Sequence, residues 1–376
     1  MLSPQFFIES LMSEGLEFYT GVPDSLLKNI CAYITDYNKK GHVIAANEGG
    51  AIGLAAGYHI ATGKTPVVYM QNSGIGNAIN PLLSLVDKEV YDIPLLLLIG
   101  WRGEPGVKDE PQHIKQGKVT IPLLETMGIA NCVMAENEMD FQVQLKNAMS
   151  YINNNEVYAF VIKKGTFDKY TFQNKNDNDY ELSREEAIQI VASFVEKDAV
   201  VVSTTGMISR ELFEYREIAS QTHQQDFLTV GSMGHASQIA LGIALQEKNR
   251  KIYCFDGDGA VLMHTGSLAI VGSEKPNNFV HVLFNNGAHD SVGGQPTVAL
   301  NIDVTSIAKA SGYPKTYSVE TKEELLQILK NGSNFEYPVF IEIKVKKGNR
   351  DDLGRPTTTP IQNKEGLMNF IKKNIK

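Results

Sequence analysis

The 376 residues allow two domains with ordinary cores, and the 43% hydrophobic and 21% charged fractions are those of a soluble globular protein. With 43 acidic against 35 basic residues, the net charge of -8 argues against a nucleic-acid backbone as a standing partner. The start MLSPQFFIESLMSEG lacks both a basic lead and a long apolar run, so neither a signal peptide nor a membrane span is expected there.

That start instead reads as a first helix, with Ser3 as N-cap and Pro4 in the first turn. Apolar, β-branched runs then recur in chain order: TPVVYMQ, IPLLLLIG and YAFVIKKG, followed by AVVVSTTG, RKIYCFDGDG, FVHVLFNNG and YPVFIEIKVKKG. Alternating with helical stretches, they predict α/β architecture, with parallel sheets wound on both faces by helices. Between the third and fourth runs, TFQNKNDNDYELSREEA is polar and Asn-rich until Ser183 and Glu186 form a capping box. The expected domains are therefore 1–168 and 183–376, joined by a linker at 169–182. Each half ends in a β-rich run followed by KKG, which suggests one architecture used twice. Cys31, Cys132 and Cys254 have no CxxC spacing and are expected to be reduced thiols of a cytoplasmic protein.

Three familiar patterns fail on inspection. A calcium loop starting at Asp256 needs glycine where Val261 stands and lacks its terminal Glu. GYHIATGKT is not a phosphate loop, because five residues rather than four separate Gly57 from Gly63; Gly63 is expected to cap a helix C-terminus. NEGGAIGLAAG has glycines near dinucleotide spacing, but no acidic residue follows a second strand at the right distance to bind a ribose.

The pair DGDG and NNG remains. Gly257, Asp258 and Gly259 follow a strand and open a helix, where free N–H groups can meet a phosphate. The next strand ends in Asn285 and Asn286, at the carboxyl edge where ligands of open α/β sheets gather. One carboxylate, one amide oxygen and one backbone carbonyl, completed by two diphosphate oxygens and a water, make an octahedral site for Mg²⁺. A plain turn at each segment accounts for either one alone.

Together the two segments resemble the GDG…NN signature of thiamine diphosphate enzymes, and the resemblance covers most of the chain through AANEGGAIGLAAGYHIATGK and GSMG. The segments NSGIGNAINPLLSLVDKEVYDIPLLLLIGWRGEPGVKDEPQH and NNGAHDSVGGQPT are similar to phosphonopyruvate decarboxylases and their sulfopyruvate relatives. The resemblance implies a pyrimidine-binding and a diphosphate-binding domain with no middle domain, holding thiamine diphosphate and Mg²⁺. It implies decarboxylation of a 2-oxo acid bearing a second anionic group: phosphonopyruvate, giving phosphonoacetaldehyde in phosphonate biosynthesis, or alternatively sulfopyruvate or another 2-oxo acid. A fused chain, where sulfopyruvate decarboxylases are commonly split, tilts this towards phosphonopyruvate.

Residue by residue, the resemblance assigns Glu48 to the aminopyrimidine N1′, the Gly231 carbonyl to N4′, and Met233 to the wedge that bends the cofactor. Thr205, Gly206, Gly257, Gly259 and Ala260 would line the cofactor, and Asp258, Asn286 and the Ala288 carbonyl would hold the ion, with Asn285 supporting the turn. No adjacent His pair occurs among the eight histidines, so Asp24, then His113 and His289, are the candidate proton donors. For the second anionic group, Arg102 leads, followed by Lys28, Lys108, Lys115 and Arg210, and the stretch GWRGEPGVKDEPQHIKQG is expected to be a mobile loop. A homodimer or larger homo-oligomer is implied, with active sites between chains and the small-residue helix after Glu48 as a contact. A regulatory subunit that has lost its chemistry is the reading outside enzymes, and it gives no reason to keep Glu48, Asp258 and Asn286 together.

Overall fold

A computed structural model of the chain describes residues 1–173 and 178–373. Two compact units divide it, Met1–Lys175 with Val292–Gln295, and Asn176–Ser291 with Pro296–Lys376. Residues 174–177 of the expected linker lie outside the described residues. The described parts of that segment are tied down. Tyr170 donates its hydroxyl to Asp36 at 2.9 Å in the first unit, and Asn178 donates to the Val345 carbonyl at 3.2 Å in the second.

The first unit holds β1 (Tyr19–Gly21), β2 (His42–Ile44), β3 (Val67–Gln71), β4 (Leu96–Gly100), β5 (Ala130–Val133) and β6 (Tyr158–Ile162). They pair in parallel in the order β2-β1-β3-β4-β6-β5. The second unit holds β7 (Val200–Ser203), β8 (Asp226–Leu228), β9 (Ile252–Gly257), β10 (Phe279–Asn285), β11 (Lys315–Val319) and β12 (Val339–Lys344). Its parallel order is β11-β12-β10-β9-β7-β8. Counted from its own first strand and from the opposite edge, that order is the same as the first, so the likeness of the two halves extends to topology.

All seven runs read from the sequence are strands. Of the five strands not anticipated, β2, β5, β8 and β11 are edge strands and β1 has only three residues, so none presents the unbroken apolar run of the central strands. The long central strands are buried on both faces, which is why they read as unbroken apolar runs. In β4, Leu96 and Leu98 enter one core layer while Leu97 and Ile99 enter the other; in β7, Val201 and its neighbours Val200 and Val202 divide in the same way.

Local signals hold as well. Ser3 caps the helix Pro4–Ser13, Gly63 ends the helix Glu48–Thr62 in the left-handed conformation, and Ser183 with Glu186 form the capping box of Arg184–Phe194. The three cysteines are free, and no helix among the described residues is long and apolar enough to cross a membrane.

Strand order reverses between β1 and β3 in one unit and between β7 and β9 in the other. Loops leaving neighbouring strands there diverge to opposite faces and open a crevice at the carboxyl edge. Asp24 follows β1, and Asp258 directly follows β9.

Candidate active site

In the second unit, β9 delivers Asp256 and Gly257 to the sheet edge, and the chain turns at once into the short helix Asp258–Met263. Asp256 fixes the turn by accepting the Gly257 N–H at 3.0 Å. Asp258 is buried, and its carboxylate accepts from the Thr297 hydroxyl and from N–H groups of its own turn. Burial, only partly offset by these bonds, pushes its pKa up to about 6.

Across the same edge, β10 ends in the Asn pair. Asn285 is fully buried, donates to Glu342 at 2.7 Å and accepts the Gly287 N–H at 3.1 Å, so it ties the turn to β12. Asn286 turns its oxygen to the Ala288 N–H at 3.0 Å and its nitrogen to Asp290 at 2.6 Å. An amide oxygen carries two lone pairs, so one is left over.

Thr204, Thr205, Met233, Asp258, Asn286 and His289 line one cleft, together with Gly257, Gly259, Ala260 and Ala288. Gly206 ends the β7 turn at φ 100° and ψ −139°, a conformation closed to other residues, and so starts the helix Met207–Ile218. Thr205 accepts the Gly231 N–H at 3.1 Å, joining the STTG and GSMG turns. Gly259 leaves room for the half-buried His289 ring, since a Cβ there would stand 2.9 Å from it; burial pushes His289 down to about 4.

The first unit assembles a second set. Glu48 opens its helix, buried, with one carboxylate oxygen accepting from Asn77 at 2.8 Å and the other resting on Gly74, where any Cβ would overlap it. Two residues before Gly74, Asn72 accepts the Arg102 N–H at 3.2 Å and donates to the Arg102 carbonyl at 2.8 Å. The turn against Glu48 and the chain leaving β4 are thereby locked together. Asp24 is 1% exposed; one oxygen accepts the Leu26 N–H at 2.8 Å, and the other has no partner among the described residues. Burial raises its pKa against the opposing pull of that N–H and of Arg102.

Arg102 and its surroundings differ from expectation. The guanidinium is not open but forks onto Asp109 at 2.8 and 2.5 Å and donates to Ser25 at 2.9 Å. Three of its five N–H groups are thus committed, leaving one on each terminal nitrogen. The stretch expected to be a mobile loop is a loop only as far as Glu110; the helix Pro111–Thr126 then takes in His113 and Lys115. Its two prolines made it look irregular, but one sits at the helix start, where proline is tolerated. His113 is buried, its Nδ1 has no partner among the described residues, and burial, then Arg102, pushes it down to about 4. Lys28, Lys108 and Lys115 are exposed, and Arg210 is half-buried.

Sequence reasoning missed Thr297, Asn77, Asp290 and Arg184. Thr297 and Asp290 stood inside the quoted NNGAHDSVGGQPT and Asn77 inside the quoted NSGIGNAINPLLS, while Arg184 stood beside the Ser183–Glu186 capping box; no local signal assigned any of the four a partner. The donor set itself suits a hard cation: a carboxylate, an amide oxygen and a carbonyl, with no nitrogen or sulfur ligand.

The family described as thiamine pyrophosphate enzyme, N-terminal TPP binding domain, matches residues 4–121, and its C-terminal TPP binding domain matches residues 204–343. A phosphonopyruvate decarboxylase of Streptomyces viridochromogenes is 31% identical over 96% of this chain and 93% of its own, and one of Streptomyces hygroscopicus 30% over 96% and 92%. A sulfopyruvate decarboxylase of Methanosarcina acetivorans is 27% identical over 91% of both. That last relative is one chain of both halves, so fusion does not separate the two substrates and the inference drawn from it is withdrawn. With both cofactor-binding domains matched and no domain between them, the chain belongs to the thiamine pyrophosphate enzymes, in the branch of 2-oxo acid decarboxylases that contains the phosphonopyruvate and sulfopyruvate enzymes.

Proposed function

We propose that this chain decarboxylates phosphonopyruvate to phosphonoacetaldehyde and carbon dioxide with thiamine diphosphate and Mg²⁺, as a step in phosphonate biosynthesis. The observation that carries the chemistry is a buried carboxylate, Asp258, facing the Asn286–Ala288 turn across one cleft. The relatives support this substrate, with identity of 30–31% to the phosphonopyruvate enzymes and 27% to the sulfopyruvate enzyme.

Thiamine diphosphate, when bound, would supply the electron sink that decarboxylation of a 2-oxo acid requires. The protein's part is to hold, orient and move protons. Asp258, Asn286 and the Ala288 carbonyl hold the ion; Gly257, Gly259, Ala260, Thr205 and Gly206 border the diphosphate; Gly231 and Met233 shape the bend. Glu48 exchanges a proton with the pyrimidine N1′, its free oxygen aimed by the bond from Asn77 to the other. Asp24, buried with one unpartnered oxygen and a raised pKa, is the proton carrier for the product, ahead of His113 and His289, which burial keeps neutral. The two uncommitted N–H groups of Arg102, with Lys28 and Lys108, meet the phosphonate.

Two copies pair through the helix Glu48–Thr62, each active site drawing on both chains. Supporting this, Leu54 and Ile60 are 40% and 73% exposed on a helix whose Gly53 and Gly57 leave a close partner room. Leu54→Arg is expected to give monomers by sedimentation with turnover lost; an unchanged oligomer with full activity discards this contact.

The Asp258 assignment carries a pH signature. A folded-state pKa raised from 3.8 to about 6 means the ligand-free fold gains from the proton, and its stability falls as pH rises through that window. A cation displaces the proton and relieves the buried charge. The Tm increase given by Mg²⁺ with thiamine diphosphate should therefore grow as pH climbs through about 6. Asp258→Asn should hold or raise the ligand-free Tm at neutral pH while abolishing that increase, as read by scanning fluorimetry from pH 5 to 8.

For Glu48, the Gln variant keeps an oxygen for Asn77 but cannot exchange a proton. It is expected to fold and bind cofactor, while turnover and cofactor C2 hydrogen–deuterium exchange, followed by NMR, slow by orders of magnitude. Normal exchange would remove Glu48 from the role.

The function itself is tested by a panel of 2-oxo acids. Phosphonopyruvate should exceed sulfopyruvate in direct competition and pyruvate by far more, and Arg102→Ala should raise KM for phosphonopyruvate by about tenfold or more, as loss of a charge-assisted hydrogen bond implies. Sulfopyruvate winning the competition moves the assignment to that substrate.

A further inference from the structure

Asn286 poses an orientation problem. Its amide oxygen and nitrogen are nearly the same size, yet only the oxygen can ligate a cation. The Ala288 N–H at 3.0 Å favours one orientation from the oxygen side, and a far stronger constraint acts from the other: the Asp290 carboxylate, which can only accept, lies 2.6 Å from the nitrogen. Rotating the amide would bring oxygen against carboxylate.

Asp290 is itself held. The same oxygen accepts from Arg184 at 3.0 Å and from the Gly348 N–H at 2.9 Å. Arg184 is 5% exposed and is fixed in turn by a two-pronged ion pair with Glu211, both bonds 2.9 Å, and Glu211 is 1% exposed. Arginine's planar fork makes this a rigid link rather than a loose charge. The chain of contacts Glu211, Arg184, Asp290, Asn286 therefore ends at the cleft, and Arg184 and Asp290 both line it. Two carboxylates and one guanidinium leave the group at a net charge of −1 beside the ion position. We propose that Asp290, braced by Arg184 and Glu211, is a positioning residue that presents the Asn286 oxygen to the divalent cation and adds negative charge behind it. This rests on the assignment of the cation to Asp258 and Asn286.

The alternative is a purely structural tie among the helices Arg184–Phe194 and Met207–Ile218 and the turn at Gly348. Such a tie would alter the stability of the ligand-free protein and leave the metal dependence alone. The test is a Mg²⁺ titration at saturating thiamine diphosphate, read as the concentration giving half the full thermal shift, for wild type, Asp290→Ala, Asp290→Asn, Asn286→Ala and the double Ala variant. Loss of a residue that orients a ligand generally costs about ten- to a hundredfold in metal affinity. Asp290→Ala should therefore raise the half-effect concentration by about tenfold or more, Asp290→Asn by less, and adding Asp290→Ala to Asn286→Ala should cost less than it does in the wild type, because only the charge and no longer the orientation is lost. Should Asp290→Ala give no folded protein, Asp290→Asn decides by the same measurement. A half-effect concentration within about twofold of wild type for the Asp290 variants, with Asn286→Ala strongly shifted, overturns the inference alone. If Asn286→Ala leaves it unmoved, the cation assignment falls and takes the inference with it.

Discussion

A single buried carboxylate sets the terms for the second unit. Asp258 lies at the end of a central strand, 5% exposed, and its hydrogen bonds come from a threonine hydroxyl and backbone N–H groups, all uncharged. Neutral donors soften the burial of charge but do not balance it, which is why the group holds a proton up to about pH 6. A fold does not need a charge in such a place for stability; a hydrophobic or amide side chain would serve that end better. Around it the turns are fixed by short-range bonds: Asn285 pins the turn after β10, Asn286 keeps a spare lone pair, and Asp256 anchors the glycine that precedes the acid.

The two units share one strand order but use the reversal differently. In the second, short turns bring backbone and small residues to the crevice, suited to a phosphate and its ion. In the first, the crevice carries acids: Glu48 against Gly74, and Asp24 against the chain leaving β4. Asn72 connects these acids by holding both backbone groups of Arg102 while its own turn leads to Gly74. Duplicated topology thus supplies two crevices, and side chains give each a separate chemistry.

Legibility in the sequence follows the range of the interaction. Central strands, caps and the GDG and NN turns are written in contiguous residues, and they were read correctly as elements. What escaped were partners brought together by the fold: Thr297 lies 39 positions from Asp258, Asn77 lies 29 from Glu48, and Arg184 lies 106 from Asp290. No periodicity encodes such pairs. Arg102 is the instructive exception, because Asp109 stands only seven positions away within one loop. An opposite charge at that distance between two glycine-rich turns was a visible warning that the guanidinium would be paired. Pro111 misled in the other direction, because composition suggested irregularity where its place at the start of the helix Pro111–Thr126 permitted a helix.

On the proposed assignment, the charge count also makes the two ligands interdependent. Asp258 contributes one negative charge, while Asn286 and the Ala288 carbonyl contribute none, so the protein's own oxygens under-compensate a divalent ion. The group of Glu211, Arg184 and Asp290 adds a further net −1, but at one remove, through Asn286. A bound diphosphate would supply the missing charge, and the ion would in turn screen the diphosphate from Asp258. Each therefore raises the other's affinity, and by linkage the two factors must be equal. A site built this way binds neither ligand tightly alone. On that assignment it would stay a half-neutralised, proton-holding cleft until both arrive, which would account for a buried acid at the end of β9 with no cationic side chain to match it.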